Sequence, residues 1–553
     1  MPNFLENIFA TLKQAGGRVV LREIRGAEFT SVTGRELLEQ VRSARAFVRS
    51  AGLLKGDRCA VLAANSILWA ALDLALMAEG VIVVPLYARQ SVAELAGMLR
   101  DSQPKILFSS ETALCDAVAE AYRDCPPRMS LDEAQKNATT AESIAEAPNE
   151  RSSEDLVTII YTSGTSGEPK GVCLNTANLT FMVARTTERL NQLMGATREP
   201  DRIFLYAPLN FAASWMLMLS AFSRESTLTF STDLTKLADE IRLSAPHYFL
   251  NVPTLLERVK RGVEDNIAKQ AAPIRKLYAR ASQSWQRQHV GRGGALDSLW
   301  VRLGDLLIFR KIKARFGPNL RALVCGSAPL APETQLFFLM LGIPVLQAYG
   351  LTETTALCTL DDPRVPVEPG YVGPAINGVE MKLGDNEEIL VRGPNIFPGY
   401  WNRPEETAKT IRDGWFHSGD QGEVNVRGNW RIVGRIKNLI VLNSGHKFAP
   451  EPIEDKLASM IPAAQQVVLV GSGRGFVCAL LTGRLERLAV QTAIDELNPE
   501  LPHYRQIRGF IVLPEPFTPE SGLLTAMGKL KRDAIAARLA AEIDGMYGRK
   551  ASA

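Results

Sequence analysis

The chain has 553 residues, 46% of them hydrophobic and 22% charged, with a formal net charge of +3 from 63 basic and 60 acidic side chains. That is globular composition with room for about three or four compact units, and its near balance of charge excludes a dedicated nucleic-acid binder. Seven scattered cysteines (Cys59, Cys115, Cys125, Cys173, Cys325, Cys358, Cys478) form no C-x-x-C pair, which predicts a reducing, cytoplasmic setting. The five histidines show no zinc-binding spacing, and the N-terminus lacks the basic and apolar regions of a secretory signal.

From residue 33 onward the pattern alternates. GRELLEQVRSARAFVRSAG has apolar residues at helical spacing and a glycine stop, and DRCAVLAA is a short apolar run suited to a buried strand. ILWAALDLALMAEGVIVVPLY is interrupted by Asp73, Glu79 and Pro85, so a buried helix and strand are expected rather than a membrane span. VAELAGMLRDSQ with KILFSS, and LTKLADEIRLSA with HYFLNVP, repeat the helix–strand rhythm, which predicts an α/β domain of mainly parallel sheets sandwiched by helices. Residues 135–153 read as a loop. Residues 255–315 read as a helical insertion, and from Lys260 to Arg315 there are thirteen Lys or Arg against four Asp or Glu. Such a stretch is either a solvated helical face or a surface that meets anionic lipid at a membrane or an anionic cofactor.

Near residue 385 the texture changes to short alternating strands with Gly and Asn turns, EEILVRG, GEVNVRGNWRIVGR and NLIVLNSG, which predict antiparallel hairpins. PEPIEDKLASM is a helix begun by proline, and a last helix starts near Lys531. These features divide the chain into a large domain, 1–434, and a small α+β domain, 435–553.

YTSGTSGEPKGV, from Tyr161 to Val172, is the most informative stretch. Small residues let successive N–H groups converge on one anion, hydroxyls add donors, and Lys170 adds a mobile cation. DLVTIIYT before it reads as a strand and LTFMVARTTERL after it as a helix, the setting in which polyphosphates dock. The spacing is neither G-x-x-x-x-G-K-[ST] nor G-x-G-x-x-G. A second glycine cluster, Gly471, Gly473 and Gly475, lies among antiparallel strands and is expected to be a hairpin turn, not a dinucleotide site.

Four further stretches share this flavour: VCGSAPL (Val324–Leu330), QAYGLTETT (Gln347–Thr355), GWFHSGD (Gly414–Asp420) and GRIKNLIVLNSGHKFAPEPIE (Gly434–Glu454), followed near the end by SGLLTAMGKLKR (Ser521–Arg532). In this order the set resembles the adenylate-forming superfamily of acyl-CoA synthetases, adenylation domains and luciferases, and most closely the bacterial long-chain fatty acyl-CoA synthetases. The resemblance spans residues 57–532.

It implies a two-step reaction with ATP, Mg²⁺ and coenzyme A: a carboxylic acid becomes acyl-AMP, and a thiol then displaces AMP. It assigns Thr162, Ser163, Gly164, Thr165, Ser166, Gly167 and Lys170 to the triphosphate. Gly326, Ser327, Ala328, Tyr349 and Gly350 fall at the adenine pocket, Asp420 at the ribose, and Arg435 near ribose and phosphate. Thr352 would donate to phosphate, Glu353 would hold Mg²⁺, and Lys529 would bridge carboxylate and α-phosphate. Lys437 matches a hinge, Gly445 and Lys447 the coenzyme A face, and Phe211 and Trp215 the acyl pocket, although WMLMLSAF is equally a plain core helix. Two departures stand out: Ala526 where these synthetases commonly have proline, and Thr176 where they often have histidine. A carrier-protein thiol as acceptor, an aryl or pathway-specific acid, an oxygenase of the luciferase kind and a non-catalytic nucleotide binder remain alternatives at this stage. A Rossmann redox enzyme lacks its fingerprint.

Overall fold

Two largely parallel sheets carry the large domain. The computed structural model describes residues 2–135, 144–163, 169–195, 199–525 and 528–548. The first sheet has eight strands, in spatial order Thr359–Leu360, Val345–Tyr349, Ala322–Cys325, Tyr248–Asn251, Asp201–Leu205, Ser226–Phe230, Val19–Arg25 and Glu28–Thr33. Its interior pairs are parallel, and both outermost pairs are antiparallel. The second has seven strands, in order Gly399–Tyr400, Pro169–Asn175, Leu156–Ser163, Ile82–Leu86, Arg58–Leu62, Ile106–Ser109 and Arg128–Met129.

Local chemistry explains the alternation. Helix Gly34–Ser50 opens on a reciprocal Thr33–Glu36 capping box, and helix Val92–Ser102 on a Ser91–Glu94 box. Strand Ile82–Leu86 is buried along its whole length, as expected for a parallel strand covered on both faces. Helix Ile67–Glu79 is apolar all round, which buries it; it packs on helix Gly34–Ser50, not in lipid.

Strands Glu380–Leu383, Glu388–Arg392, Ile411–Arg412, Trp415–Val424 and Trp430–Arg435 form an antiparallel sheet that leads out of the large domain. Beyond it, hairpin Ile440–Val441/Lys447–Phe448 and the sheet Gln466–Val470, Val477–Thr482, Ile507–Leu513 enclose a separate small core with helices Glu451–Met460 and Arg487–Leu497. Gly471, Gly473 and Gly475 lie in the turn between two of these strands, which pair antiparallel. The insertion between strands Tyr248–Asn251 and Ala322–Cys325 is helical, with Pro253–Ala268, Ala272–His289 and Ala295–Gly304 as its main helices. All seven cysteines are free thiols.

One expectation needs correction. The phosphate loop does not join a strand to a helix. It joins strand Leu156–Ser163 to strand Pro169–Asn175, which pair antiparallel with Thr162 opposite Lys170, and helix Thr176–Met194 starts only after the second strand. Val172, Cys173 and Leu174 are the reason: they are buried in the sheet and extend the chain before Asn175 caps the helix.

Candidate active site

The edge of the seven-stranded sheet positions Lys170. Strand Pro169–Asn175 is covered by Gly399–Tyr400, pairing Tyr400 with Val172, and Trp401 N–H donates to the Gly171 carbonyl at 2.7 Å. The Lys170 ammonium pairs with Glu406 and lies 5.3 Å from the Tyr400 ring centroid. Gly164, Thr165, Ser166 and Gly167 lie outside the described residues, as do the side chain of Ser163 and Ala526.

The eight-stranded sheet supplies the facing wall. Strands Ala322–Cys325 and Val345–Tyr349 run parallel with Cys325 opposite Gln347, so Gly326, Ser327 and Ala328 emerge beside the last residues of the second strand, ending at Tyr349, and Gly350. The backbone is strained here: Ser327, Thr355 and Ala356 have φ of 74°, 53° and 82°. Non-glycine residues held so cost about 1–3 kcal/mol each and mark sites where the surrounding structure dictates the conformation. Thr355 Oγ1 donates to the Asn395 carbonyl at 2.7 Å, and Asn395 Nδ2 donates to the Leu357 carbonyl at 3.1 Å, pinning the turn. At Gly350 a Cβ would fall 2.2 Å from the Ala356 carbonyl oxygen, so no side chain fits.

That turn presents Thr352 and Glu353 on a single 3₁₀ turn, Thr352–Thr354. Tyr400 Oη donates to Glu353 Oε1 at 2.9 Å. Burial pushes the Glu353 carboxyl above its usual range, with Tyr400 and the Arg435 charge opposing the rise. Asp420 is buried; Tyr349 Oη donates to its Oδ2 at 2.9 Å, and Arg435 Nε lies 3.0 Å from its Oδ1. Asp420 and Arg435 are direct cross-strand partners, which fixes this pair by register. Burial raises the Asp420 pKa, against the pull of Arg435, Tyr349 and Lys529.

Lys529 arrives from the small domain. Thr525 N–H donates to the Lys529 carbonyl at 2.8 Å, and Lys529 N–H donates to Thr525 Oγ1 at 3.1 Å, closing a tight turn with Gly528 at φ 76°. Its side chain stays open to solvent but is crowded by protein and by Arg435, which lowers its pKa; the Asp420 and Glu353 carboxylates act in the opposite sense. Lys529 therefore stands within electrostatic reach of Glu353 and Asp420 of the large domain and of Arg435 at the domain boundary. Lys437, on the 3₁₀ turn Ile436–Asn438, is exposed, yet crowding by the protein and then the Arg435 charge lower its pKa.

The remaining candidates are more dispersed. Phe211 precedes helix Ala212–Phe222, and its ring lies 5.7 Å from that of Tyr87. Trp215 is turned into the core, where its Nε1 donates to the buried Asp73 at 2.8 Å. Gly445 and Lys447 sit on the exposed hairpin of the small domain, and the Lys447 side chain makes no hydrogen bond or ion pair among the described residues. Thr176 is buried at the start of its helix, with its hydroxyl donating to the Asp155 carbonyl at 3.2 Å.

Three site residues escaped the sequence reading: Tyr400, Glu406 and Asn65. Asn65 grips the segment ahead of Phe211, donating to the Ala207 carbonyl at 2.9 Å and accepting from Leu209 N–H at 3.0 Å. FPGYWNRPEE carries a signal for the first two, since an aromatic pair follows a Pro-Gly step, but only the pairing with the lysine strand shows what they touch.

Among the described residues no cluster of three or more His, Cys, Asp or Glu side chains could hold a metal alone. One carboxylate, Glu353, facing the place where phosphates would lie fits Mg²⁺, which keeps waters and takes substrate phosphates as ligands. When bound, the ion would neutralise phosphate charge.

A strained wall of small residues, a cationic hairpin, a single metal-fitting carboxylate and a lysine lent by a second domain define an enzyme site for a polyphosphate nucleotide. The AMP-binding enzyme family matches residues 8–401, and the AMP-binding enzyme C-terminal domain matches residues 437–551. The chain belongs to the AMP-binding enzyme family. It is 30% identical over 580 residues to the long-chain-fatty-acid–CoA ligase FadD15 of Mycobacterium tuberculosis, covering 96% of this chain and 95% of that one. It is 26% identical to long chain acyl-CoA synthetase 2 of Arabidopsis thaliana, covering 97% and 90%. The fold matches ATP-bound MatB from Rhodopseudomonas palustris (TM-score 0.73, 23% identity, 97% and 99% covered). It also matches O-succinylbenzoate coenzyme A synthetase from Bacillus subtilis with AMP (TM-score 0.74, 20% identity, 96% and 98% covered).

Proposed function

We propose that the protein is an ATP-dependent acid–thiol ligase that activates a medium- or long-chain fatty acid and passes it to coenzyme A. In the first step a carboxylate oxygen attacks the α-phosphorus and the bond to pyrophosphate breaks, giving acyl-AMP. In the second a thiolate attacks the acyl carbon and AMP leaves. The observation that carries this reading is that Lys529, from the small domain, comes within electrostatic reach of Glu353 and Asp420 of the large one and of Arg435 at the boundary. Two anions must meet in the first step, so cations have to be held where the charge develops.

In this reading Lys529 bridges the carboxylate and the α-phosphate. Glu353 with Thr352 orders the metal-bound phosphates, and Tyr400 orients Glu353. Lys170 leaves Glu406 for the β- and γ-phosphates. Asp420, held by Arg435 and Tyr349, accepts from the ribose hydroxyls, while Gly326, Ser327, Ala328, Tyr349 and Gly350 flank the adenine. The domain boundary falls at 434/435, at the last residue of the connecting sheet's final strand, Trp430–Arg435, and Lys437 is the hinge about which Gly445 and Lys447 are brought to the pantetheine arm. Phe211, Tyr87 and the adjoining helix border the acyl chain.

Fatty acid as substrate rests on the named ligases that the chain matches along nearly its whole length. A carrier-protein thiol would satisfy the same second step, so the acceptor is part of the test. We also place the protein at a membrane face by peripheral contact. The experiment is pyrophosphate release across a panel of carboxylic acids of C4 to C18 and aryl acids, with coenzyme A, a phosphopantetheinyl carrier protein or no acceptor. Release with C8–C18 acids and thioester only with coenzyme A is expected. Release confined to aryl acids, or thioester only on the carrier, overturns the reading.

A further inference from the structure

The helical insertion carries an apolar ridge that faces out of the protein. Helix Ala295–Gly304 continues through the π-helical turn Asp305–Phe309 into Arg310–Lys313. Its inner side is closed: Ile308 and Phe309 are buried, and Gly304 packs so tightly on Ala281 that a Cβ would fall 2.4 Å from the alanine methyl. The outer side presents Leu296, Leu299, Leu306 and Leu307, which are 73%, 52%, 59% and 47% exposed. Their spacing, i, i+3, i+10, i+11, places them on one stripe. A soluble surface rarely gathers four exposed leucines on one short helix without a partner.

The charge around the stripe selects that partner. Arg302 and Lys311 are exposed at its flanks, and among the described residues neither has a carboxylate within ion-pair reach. The acids nearby are already neutralised: Arg310 Nε holds Asp305 at 2.8 Å, and Arg287 Nε holds Asp297 at 3.1 Å. Thirteen Lys or Arg against four Asp or Glu make segment 260–315 strongly cationic. Among the described residues no helix is long and apolar enough to cross a membrane, so insertion would lie in the plane of the surface.

We infer that this ridge docks on an anionic lipid bilayer, with Leu296, Leu299, Leu306 and Leu307 entering the acyl boundary and the flanking Arg302 and Lys311 paired with lipid phosphates. Exposed leucines contribute apolar burial, and each Lys or Arg near an anionic surface adds attraction that salt screens. The insertion follows directly on strand Tyr248–Asn251, the neighbour of strand Ala322–Cys325, which leads into Gly326. A docked insertion therefore brings the catalytic wall close to the phase in which long-chain acids reside. This deepens the ligase reading, on which it depends for the substrate.

The test is co-sedimentation of the whole protein with vesicles of phosphatidylglycerol and phosphatidylcholine (1:1), or of phosphatidylcholine alone, together with ligase activity on octanoate without vesicles. Binding to the anionic vesicles is expected. It should weaken at least about tenfold on raising salt from 0.05 to 0.5 M, and again in L299E/L306E. A second variant, R302E/K311E, should lose anionic-vesicle binding while keeping the leucines. Both variants should keep wild-type octanoate activity. Equal binding to neutral vesicles, or unchanged binding in both variants, overturns the proposal. So does a wild-type dimer in sedimentation that L299E/L306E dissociates, because a second copy would then cover the ridge. Loss of octanoate activity in the wild type would instead count against the ligase reading and leave vesicle binding to be judged separately.

Discussion

Lys529→Ala isolates the lysine that the small domain contributes. A unit positive charge about 4 Å from a phosphate oxygen, at an effective dielectric near 20, is worth about 4 kcal/mol. The Lys529 side chain is open to solvent on one side, which reduces that figure, so the adenylation step should slow by about 10²–10³-fold, the range for removing one preorganised charge. The assay is single-turnover formation of acyl-AMP, run beside thioester formation from supplied acyl-AMP and coenzyme A. The first should collapse and the second should stay within about threefold of wild type. The pH profile is a second readout. The lysine acts as a cation and its pKa lies below 10.5, so wild-type adenylation should fall with rising pH earlier than an ordinary lysine would dictate. Equal loss in both half-reactions, or an unchanged alkaline limb in Lys529→Ala, would refute the role.

Other perturbations test the large-domain wall. Tyr400→Phe removes the 2.9 Å hydrogen bond to Glu353, and a bond to a charged group is worth about 1.5–3 kcal/mol, so KM for MgATP should rise at least about tenfold while the thermal midpoint barely moves. Arg435→Ala leaves Asp420 buried beside Tyr349 alone, its pKa climbs further, and the protonated acid becomes a poorer acceptor. ATP binding measured by calorimetry should therefore suffer more at pH 6 than at pH 8.5, and an equal loss at both pH values would contradict the pairing. Asp73→Asn tests the core. Burial raises this carboxyl from 3.8 to about 7, so the native state holds a proton that the unfolded chain releases between those values, and stability falls as pH rises from 4 to 7. That rise corresponds to roughly 4 kcal/mol, so Asp73→Asn should raise the denaturation midpoint at pH 8 and leave it nearly unchanged at pH 4.

Much of the scaffold is legible because periodicity and caps are local. Thr33 with Glu36, Ser91 with Glu94 and the buried run Ile82–Leu86 declare their elements within a few residues. The phosphate loop was misplaced for the opposite reason. A second strand of consecutive buried residues, Pro169–Asn175, pairs with Leu156–Ser163 and has its outer edge covered by Gly399–Tyr400, about 230 residues away, and nothing in its own seven residues announces that edge. The same distance hid Tyr400 and Glu406, whose roles come from touching Glu353 and Lys170. Asp420 and Arg435 were found as separate motifs, yet their coupling is a matter of hairpin register. Trp215 shows the limit of an apolar run read alone: its indole serves a buried carboxylate in the core.

The contacts that hold the small domain in place are slight, and this bears on how one site could serve two steps. Lys531 Nζ reaches Glu94 Oε1 at 3.7 Å, and Arg261 reaches the Pro462 carbonyl at 3.4 Å. Solvent-exposed pairs of this kind are worth about 0–1 kcal/mol each. Against them stands Lys529, whose approach costs desolvation and repulsion from Arg435, offset by Asp420 and Glu353. A triphosphate beside that ammonium would tip the balance toward docking, and departure of pyrophosphate would withdraw most of the negative charge that favoured it. With Lys437 as the proposed hinge, reorientation then needs no dedicated trigger, because the chemistry of the first step removes the attraction that held the domain. Glu94→Gln probes this balance directly. It should slow adenylation by less than about fivefold, since the contact it breaks is weak, and leave thioester formation from acyl-AMP unchanged or faster. A loss confined to the second step would show that Glu94 and Lys531 belong to the other orientation.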